Sequence, residues 1–147
     1  MIVAVLDTNV LASGVAGIAR PESTPGEVLR RWRAGAYVLV TSEPILAELI
    51  RTLTNQYFSA RLVPAETEAA ILRLRSEAVV QPITANVTGS ATHREDDLIL
   101  ATALSSNADY LVTGDHELQA IGAFQGVRIV SPREFLANLM SAGNERR

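Results

Sequence analysis

Four acidic residues stand where an alternating chain of strands and helices would bring them to one edge of a sheet. Asp7 directly follows an apolar run at residues 2–6, and Asp115 closely follows another apolar run. The other two acids, Glu48 and Asp97, lie near the starts of predicted helices. Carboxylates that share one cleft must take up protons or bind cations, because their charges repel one another.

A cation at this edge would be held by oxygen atoms, since the chain has no cysteine and only two histidines, at positions 93 and 116. All-oxygen sites suit hard divalent cations, so the sequence predicts Mg²⁺ or Mn²⁺ bound by the four acids. Such a cation lowers the pKa of a bound water and stabilises the attacking and leaving oxygens of a phosphodiester. The pattern therefore points to metal-assisted hydrolysis, with four separate structural roles as the alternative.

Two of the acids have ordinary structural explanations as well. Glu48 lies at the edge of the apolar stripe of a helix predicted over 43–53, where a glutamate is often only solvated. Asp97 lies in the first turn of a helix predicted to start at Glu95 or Asp96, and a helix N-terminus attracts acids by itself. Three consecutive acids repel one another, however, which indicates a cation nearby.

The elements that would position these acids alternate between strands and helices. Apolar runs predict strands over residues 2–6, 37–40, 78–81, 109–112 and 127–130. Alternation implies parallel strands joined by right-handed crossovers, so we expect an α/β fold. Its expected form is a three-layer α/β/α sandwich around a central, mainly parallel sheet of about five strands. Helices that follow strands begin at the carboxyl edge, where Thr41-Ser42 would cap the helix that carries Glu48.

The composition is typical of one folded domain, since 48% of the 147 residues are hydrophobic. We expect the domain to span residues 1–140, followed by a frayed tail at 141–147. No apolar run approaches the ~18 residues of a membrane span and the N-terminus lacks a basic signal region, so a cytoplasmic protein without a membrane is expected.

All 13 cationic residues are arginine, which excludes P-loop and lysine-based chemistry. The formal net charge is −3, and neutralisation of the four acids would leave a charge of +1. The rest of the surface would therefore not strongly repel a polyanion.

The order of these motifs resembles the PIN domain family, nucleases that include the VapC-like toxins of bacterial toxin–antitoxin pairs. The resemblance covers nearly the whole chain. Its motifs are Asp7-Thr8-Asn9, Ile45-Leu46-Ala47-Glu48-Leu49, Asp97-Leu98-Ile99-Leu100-Ala101-Thr102-Ala103, Thr113-Gly114-Asp115 and the closing segment 128–135. Each motif is short, but four acids in this order, each in a matching strand or helix, are specific.

The resemblance implies an endonuclease of single-stranded RNA that uses one or two Mg²⁺ or Mn²⁺ ions and is kept inactive by a cognate antitoxin. By position, the four acids would hold metal and activate water. Asn9 and Thr113 would orient carboxylates or water around them. The motif favours Asp97 as the third acid, and whether Asp96 shares its role stays open. A homodimer is also expected from the family. Candidate arginines for contacts to the RNA are Arg20, Arg30, Arg31 and Arg51.

Three competing interpretations are weaker. A PIN-like module that binds a partner with little catalysis would have no need to keep four repelling acids and Asn9 together. A phosphoacceptor receiver domain also has a parallel sheet with an acidic pocket, but such domains resemble one another in using a lysine that this chain lacks. A phosphatase of the haloacid dehalogenase type would need an aspartate two residues after Asp7, where Asn9 stands.

Overall fold

A mainly parallel sheet forms the centre of the structure, a computed structural model that describes residues 1–87 and 94–145. Its strands are β1 (Val3–Leu6), β2 (Val38–Thr41), β3 (Val79–Val80), β4 (Tyr110–Val112), β5 (Ala123–Phe124) and β6 (Val127–Val130). They lie in the order β3-β2-β1-β4-β6-β5, and all pairs are parallel except β5 with β6. The predicted α/β fold with a mainly parallel sheet is therefore confirmed.

Helices pack on this sheet as the predicted three-layer α/β/α sandwich. They are α1 (Thr8–Gly17), α2 (Thr24–Arg33), α3 (Glu43–Leu53), α4 (Gln56–Ser59), α5 (Pro64–Glu77), α6 (Arg94–Ser105), α7 (His116–Ile121) and α8 (Pro132–Glu145). Helix α1 packs against α2 and α3, and α2 packs against α8, whereas α6 packs over β1, β2 and β4. None of the described helices combines the length and the apolar character that crossing a bilayer would require.

The central strand β1 is covered on both faces, as its unbroken apolar sequence predicts. Its residues Ala4, Val5 and Leu6 are fully buried. From β1 the chain crosses to its neighbour β2 on one side, whereas from β4, the neighbour on the other side, it continues outward to β6. The strand order therefore reverses between β1 and β4, and such a switch point opens a crevice at the carboxyl ends of the strands.

The sheet has six strands because of a short hairpin that the sequence pattern did not predict. Strand β5 pairs antiparallel with β6 across the turn Gln125-Gly126. Both turn residues have positive φ, 48° and 90°, which is the backbone twist that two-residue hairpins favour. The apolar residues before this turn therefore add an edge strand.

The C-terminal helix is longer than the sequence predicts. Helix α8 continues to Glu145, whereas the predicted domain ends at residue 140 and the predicted frayed tail begins at 141. Residues 141–145 are thus helical: no proline follows Met140, and Gly143, a residue type that often ends helices, lies within the helix. The last two residues of the predicted tail, 146 and 147, lie outside the described residues.

Candidate active site

Polar residues follow the ends of four neighbouring parallel strands at one edge of the sheet. They are Ser42 after β2, Asp7 after β1, Thr113 after β4 and Ser131 after β6. The register pairs Leu6 with Val112, so Asp7 and Thr113 stand side by side where the strand order reverses. Ligands of open α/β sheets bind at this position, which makes this edge the candidate active site.

Asp7 is buried and is hydrogen-bonded through both carboxylate oxygens. Its Oδ1 accepts from the backbone N–H of Val10 at 2.8 Å, which caps α1, and its Oδ2 accepts from the Thr113 hydroxyl. Burial raises the pKa of Asp7 despite these bonds, and the nearby charge of Asp115 raises it further. Asp7 is therefore an acid whose ionised form gains from a neighbouring cation.

Thr113 connects Asp7 to Asp115. Its hydroxyl donates to Asp7 and accepts from the backbone N–H of Asp115 at 3.0 Å. Asp115 is half-buried and caps α7, since its Oδ1 accepts from the N–H groups of Glu117 at 2.8 Å and Leu118 at 3.4 Å. We call Asp7, Thr113 and Asp115 together the aspartate unit. Within it, Thr113 contacts one of the acids that we expect it to orient.

Glu48 is held differently, on the second turn of α3. Its side chain is 35% exposed, and its Oε2 lies 2.6 Å from a guanidinium nitrogen of Arg51, whose side chain is 67% exposed. Both partners lie on the same helix at the protein surface, where an ion pair contributes little to stability. The structure thus attaches Glu48 to an arginine rather than to the aspartate unit.

The remaining predicted site residues lie in the first turns of α6 and α1. Asp97 is buried, with 8% exposure, and Asp96 is half-buried. Helix α6 ends shortly before β4 begins, so its first turn lies toward the carboxyl edge, where the aspartate unit is. Asn9 is exposed in the first turn of α1, and its backbone N–H helps to keep the pKa of Asp7 from rising further. Their proposed roles stay predictions.

The donor chemistry of this edge fits a hard divalent cation. Among the side chains that the structure describes, no three from Asp, Glu or His stand close enough to share one ion. Mg²⁺ is commonly bound through only one or two carboxylates, however, and keeps several waters. Asp7 and Asp115, which are near enough for the charge of one to raise the pKa of the other, satisfy that need.

The side-chain cap predicted for Ser42 is wrong. Ser42 is the N-cap residue of α3, but its side chain makes no cap hydrogen bond. Its Oγ lies instead 2.8 Å from Oγ1 of Thr102 in α6, and both residues are fully buried. The one sequence signal is Pro44, the second residue of α3, which lacks an N–H that a cap would bond. The partner, sixty residues along the chain, cannot be identified from local spacing.

Solved structures share this fold. VapBC2 from Rickettsia felis, bound to a DNA fragment from their promoter, has a TM-score of 0.58 and 19% identity, over 88% of this chain and 98% of that chain. Mycobacterium tuberculosis VapC20, a Sarcin-Ricin loop cleaving toxin, has a TM-score of 0.55 and 21% identity, over 85% of this chain and 98% of that chain. At these identities the similarity concerns the fold alone.

No curated protein sequence matches the chain. A family model does: the PIN domain matches residues 3–117, which include all four predicted acids and Thr113. The matched segment is well over half of the chain, and the order of strands and acids within it is the one that the sequence motifs predicted. The chain therefore belongs to the PIN domain family.

Proposed function

We propose that this protein is a metal-dependent endoribonuclease that hydrolyses phosphodiester bonds of single-stranded RNA and acts as the toxin of a toxin–antitoxin pair. The observation that carries the proposal is the aspartate unit at the switch point of a PIN domain. Neighbouring acids, one of them buried, lower the stability of a fold, which favours a functional reason for their presence. Similarity to a toxin that cleaves the Sarcin-Ricin loop supports RNA as the substrate.

One or two Mg²⁺ or Mn²⁺ ions are the proposed cofactor, with Asp7, Glu48, Asp97 and Asp115 as ligands that each ion shares in part. The support is the all-oxygen donor set together with the raised pKa of Asp7. When bound, the cation would lower the pKa of an attacking water and neutralise charge on the phosphate.

The aspartate unit contributes orientation to this reaction. The Val10 N–H and the Thr113 hydroxyl hold the two oxygens of Asp7, so its carboxylate cannot rotate freely. Asp115 is held through one oxygen, Oδ1, which accepts from two N–H groups of α7. Acids that are fixed before the substrate binds lose little entropy at the transition state, which is where positioning accelerates a reaction.

Arg51 is the proposed contact to an RNA phosphate beside the site. Arg30 is bonded to several backbone carbonyls in the connection between α1 and α2, and Arg31 is paired with Glu27 at 2.8 Å. Arg51, by contrast, is mostly exposed and adjoins Glu48, a proposed ligand of the cation. A guanidinium in that position can bind a phosphate that approaches the cation.

A homodimer through α3 and α5 is part of the proposal. Of the 14 residues of α5, Leu74 is the buried one, and Leu72 is 67% exposed. A groove of about 630 Å³ separates α5 from α3, and its apolar lining includes Ile50, Leu53, Leu62, Ile71 and Leu72. Stable homodimers bury surfaces that are more apolar than those of transient complexes, which favours a second copy here.

A cognate antitoxin and a cytoplasmic location complete the proposal. Both are supported by the family membership and by the similarity in fold to VapBC2 and VapC20. An inhibitor of this kind would have to block the approach of RNA to the carboxyl edge, where the proposed catalytic acids lie.

Cleavage of a labelled single-stranded RNA in Mg²⁺ or Mn²⁺ tests the proposal, with EDTA and Asp115→Asn beside the wild-type protein. Asparagine keeps an oxygen for the cap of α7 but removes the charge, so we expect a loss of about 10³-fold in rate. Asp109→Asn is the matched control. Asp109 lies at the other end of β4 and accepts from the Val3 N–H, which asparagine can also do.

Metal-dependent cleavage that only Asp115→Asn abolishes would support the nuclease. Equal cleavage by both variants would indicate a contaminating ribonuclease or a different site. Absence of both cleavage and Mn²⁺ binding would contradict the proposal and favour the alternative, a PIN-like module that mainly binds a partner.

A further inference from the structure

A buried pair of hydroxyl groups joins α3 to α6 beside the candidate active site. Ser42 Oγ and Thr102 Oγ1 are 2.8 Å apart, and both residues are 0% exposed. Helix α3 carries Glu48 and helix α6 carries Asp97. The pair therefore links the two helices that carry the proposed acids outside the aspartate unit.

The direction of this hydrogen bond follows from a second contact. Thr102 Oγ1 also lies 2.8 Å from the carbonyl oxygen of Leu98, which can only accept. Thr102 therefore donates its proton to Leu98, and the Ser42 hydroxyl donates to Thr102. The chain of bonds begins at the first residue after β2 and ends in α6 on the residue next to Asp97.

Neither hydroxyl stabilises its own helix. A serine at an N-cap ordinarily stabilises its helix by ~1 kcal/mol, and Ser42 does not make that bond. Polar N-cap residues elsewhere in the structure do cap their helices, namely Asp7, Ser23, Asn55 and Asp115. The bond from Thr102 to the carbonyl four residues earlier slightly destabilises a helix. What the two hydroxyls achieve together is a fixed contact between α3 and α6.

We propose that Ser42, acting through Thr102, is a positioning residue that fixes Asp97 relative to Glu48. The inference rests on the proposed function, because the two acids must be set at a given separation only if both serve one cation. Without the bond, the first turn of α6 can shift against α3. A displacement of 1 Å in a positioned group costs up to about 10²-fold in rate.

Four single variants test this role, and one of them is a close control. Ser42→Ala and Thr102→Val remove the bond, whereas Thr102→Ser retains a hydroxyl. Thr41→Val is the control, because Thr41 is also 0% exposed, directly precedes Ser42, and has a hydroxyl without a hydrogen-bond partner among the described residues. Thr41→Val thus replaces a buried threonine by valine, as Thr102→Val does, but without loss of a hydrogen bond.

The measurements are kcat and KM for cleavage of single-stranded RNA, and Mn²⁺ affinity by calorimetry. We expect Ser42→Ala and Thr102→Val to lower kcat by about 10- to 100-fold, as for residues that support metal ligands, and to weaken Mn²⁺ binding with KM nearly unchanged. Thr102→Ser should restore both quantities, and Thr41→Val should match wild type. The double variant Ser42→Ala/Thr102→Val should be no worse than either single variant, because both remove the same bond.

Two results would overturn the inference alone while the wild-type protein still cleaves RNA. One is a Thr102→Val variant that matches Thr41→Val in kcat and Mn²⁺ affinity, and the other is a Thr102→Ser variant that fails to restore them. A wild-type protein that binds Mn²⁺ without cleaving the chosen RNA would indicate a narrower RNA target, and the affinity series would still decide this inference. A wild-type protein that does neither would contradict both.

Discussion

The two sides of the carboxyl edge are built in different ways. On one side, Asp7 and Asp115 are bonded through Thr113 and to backbone N–H groups at the starts of α1 and α7. On the other side, Glu48 is bonded to Arg51, an exposed side chain of its own helix. The first side is held by the backbone, and the second is held by one surface ion pair.

This difference separates acids whose direction the fold determines from an acid that can change partners. Backbone N–H groups at a helix start are fixed as soon as the helix forms, so the carboxylates that cap them are fixed as well. An exposed pair three residues apart on a helix contributes only ~0.3–0.5 kcal/mol. The aspartate unit would thus keep its conformation when cation and substrate bind, whereas Glu48 would have to break its ion pair with Arg51 to bind the cation.

Of the two substitutions here that leave the proposed acids in place, Thr113→Val should have the larger effect on cleavage, because it removes the connection within the aspartate unit. Asp7 would lose a donor, and the Asp115 N–H would lose its acceptor. Losses of about 10- to 100-fold follow removal of a group that orients a metal ligand, so we expect kcat for RNA cleavage to fall by that factor. Thr113→Ser keeps the hydroxyl and should cleave RNA nearly as fast as wild type; equal rates for both variants would show that the orientation of Asp7 does not limit the reaction.

Asp7→Asn should stabilise the fold while it abolishes cleavage. Burial of its charge lowers the stability of the folded state at neutral pH, because burial is the main cause of its raised pKa. We expect the free energy of unfolding at pH 7 in EDTA to rise by about 1 kcal/mol, a size common among single stabilising substitutions. Thermal unfolding of both proteins in the same buffer measures this gain.

The stability gain from Asp7→Asn should depend on pH with a defined sign. Because the pKa of Asp7 is raised in the folded state, the folded protein binds that proton more readily than the unfolded chain does. Wild type therefore loses stability as pH rises from about 4, the ordinary carboxyl pKa, through the raised value. The difference in free energy of unfolding between Asp7→Asn and wild type should be small near pH 3 and should increase above about pH 4. A constant difference would contradict a buried charge as its cause.

The aspartate unit was predictable from the sequence because its geometry follows from chain direction. Asp7 ends one apolar run and Asp115 closely follows another, and parallel strands bring such ends to one edge. The bond between Ser42 and Thr102 was not predictable, because it depends on how α6 lies across the sheet rather than on any local pattern. A serine directly before a helix matches the N-cap pattern even when its hydroxyl is bonded to a residue far away in the sequence.

The roles of the arginines were likewise not predictable from the sequence. Arg30 and Arg31 are equivalent in the sequence as basic residues on a helix near its end. In the structure Arg30 reaches the carbonyl oxygen of Ile18 at 2.8 Å and that of Arg20 at 3.1 Å, and so closes the loop between α1 and α2. Which arginine is available to a phosphate is therefore a property of tertiary packing.

Arg51→Gln should have the smallest effect on the fold and tests the less fixed side of the edge. Its ion pair with Glu48 is exposed, so the free energy of unfolding should change by less than about 0.5 kcal/mol. If Arg51 contacts an RNA phosphate, KM should rise roughly threefold at low salt, and the dependence of binding on salt should weaken by about 0.7 in slope. Cleavage kinetics over a series of salt concentrations measure both.

Arg73→Gln is the matched control, because Arg73 is an exposed arginine paired with Glu77 at 3.3 Å on α5. It should leave KM and its salt dependence as in wild type. A lower kcat for Arg51→Gln at saturating RNA, with KM unchanged, would mean that Arg51 holds Glu48 in place rather than binding phosphate. Glu48 would then be a fixed acid like Asp7 and Asp115, and the contrast between the two sides of the edge would no longer hold.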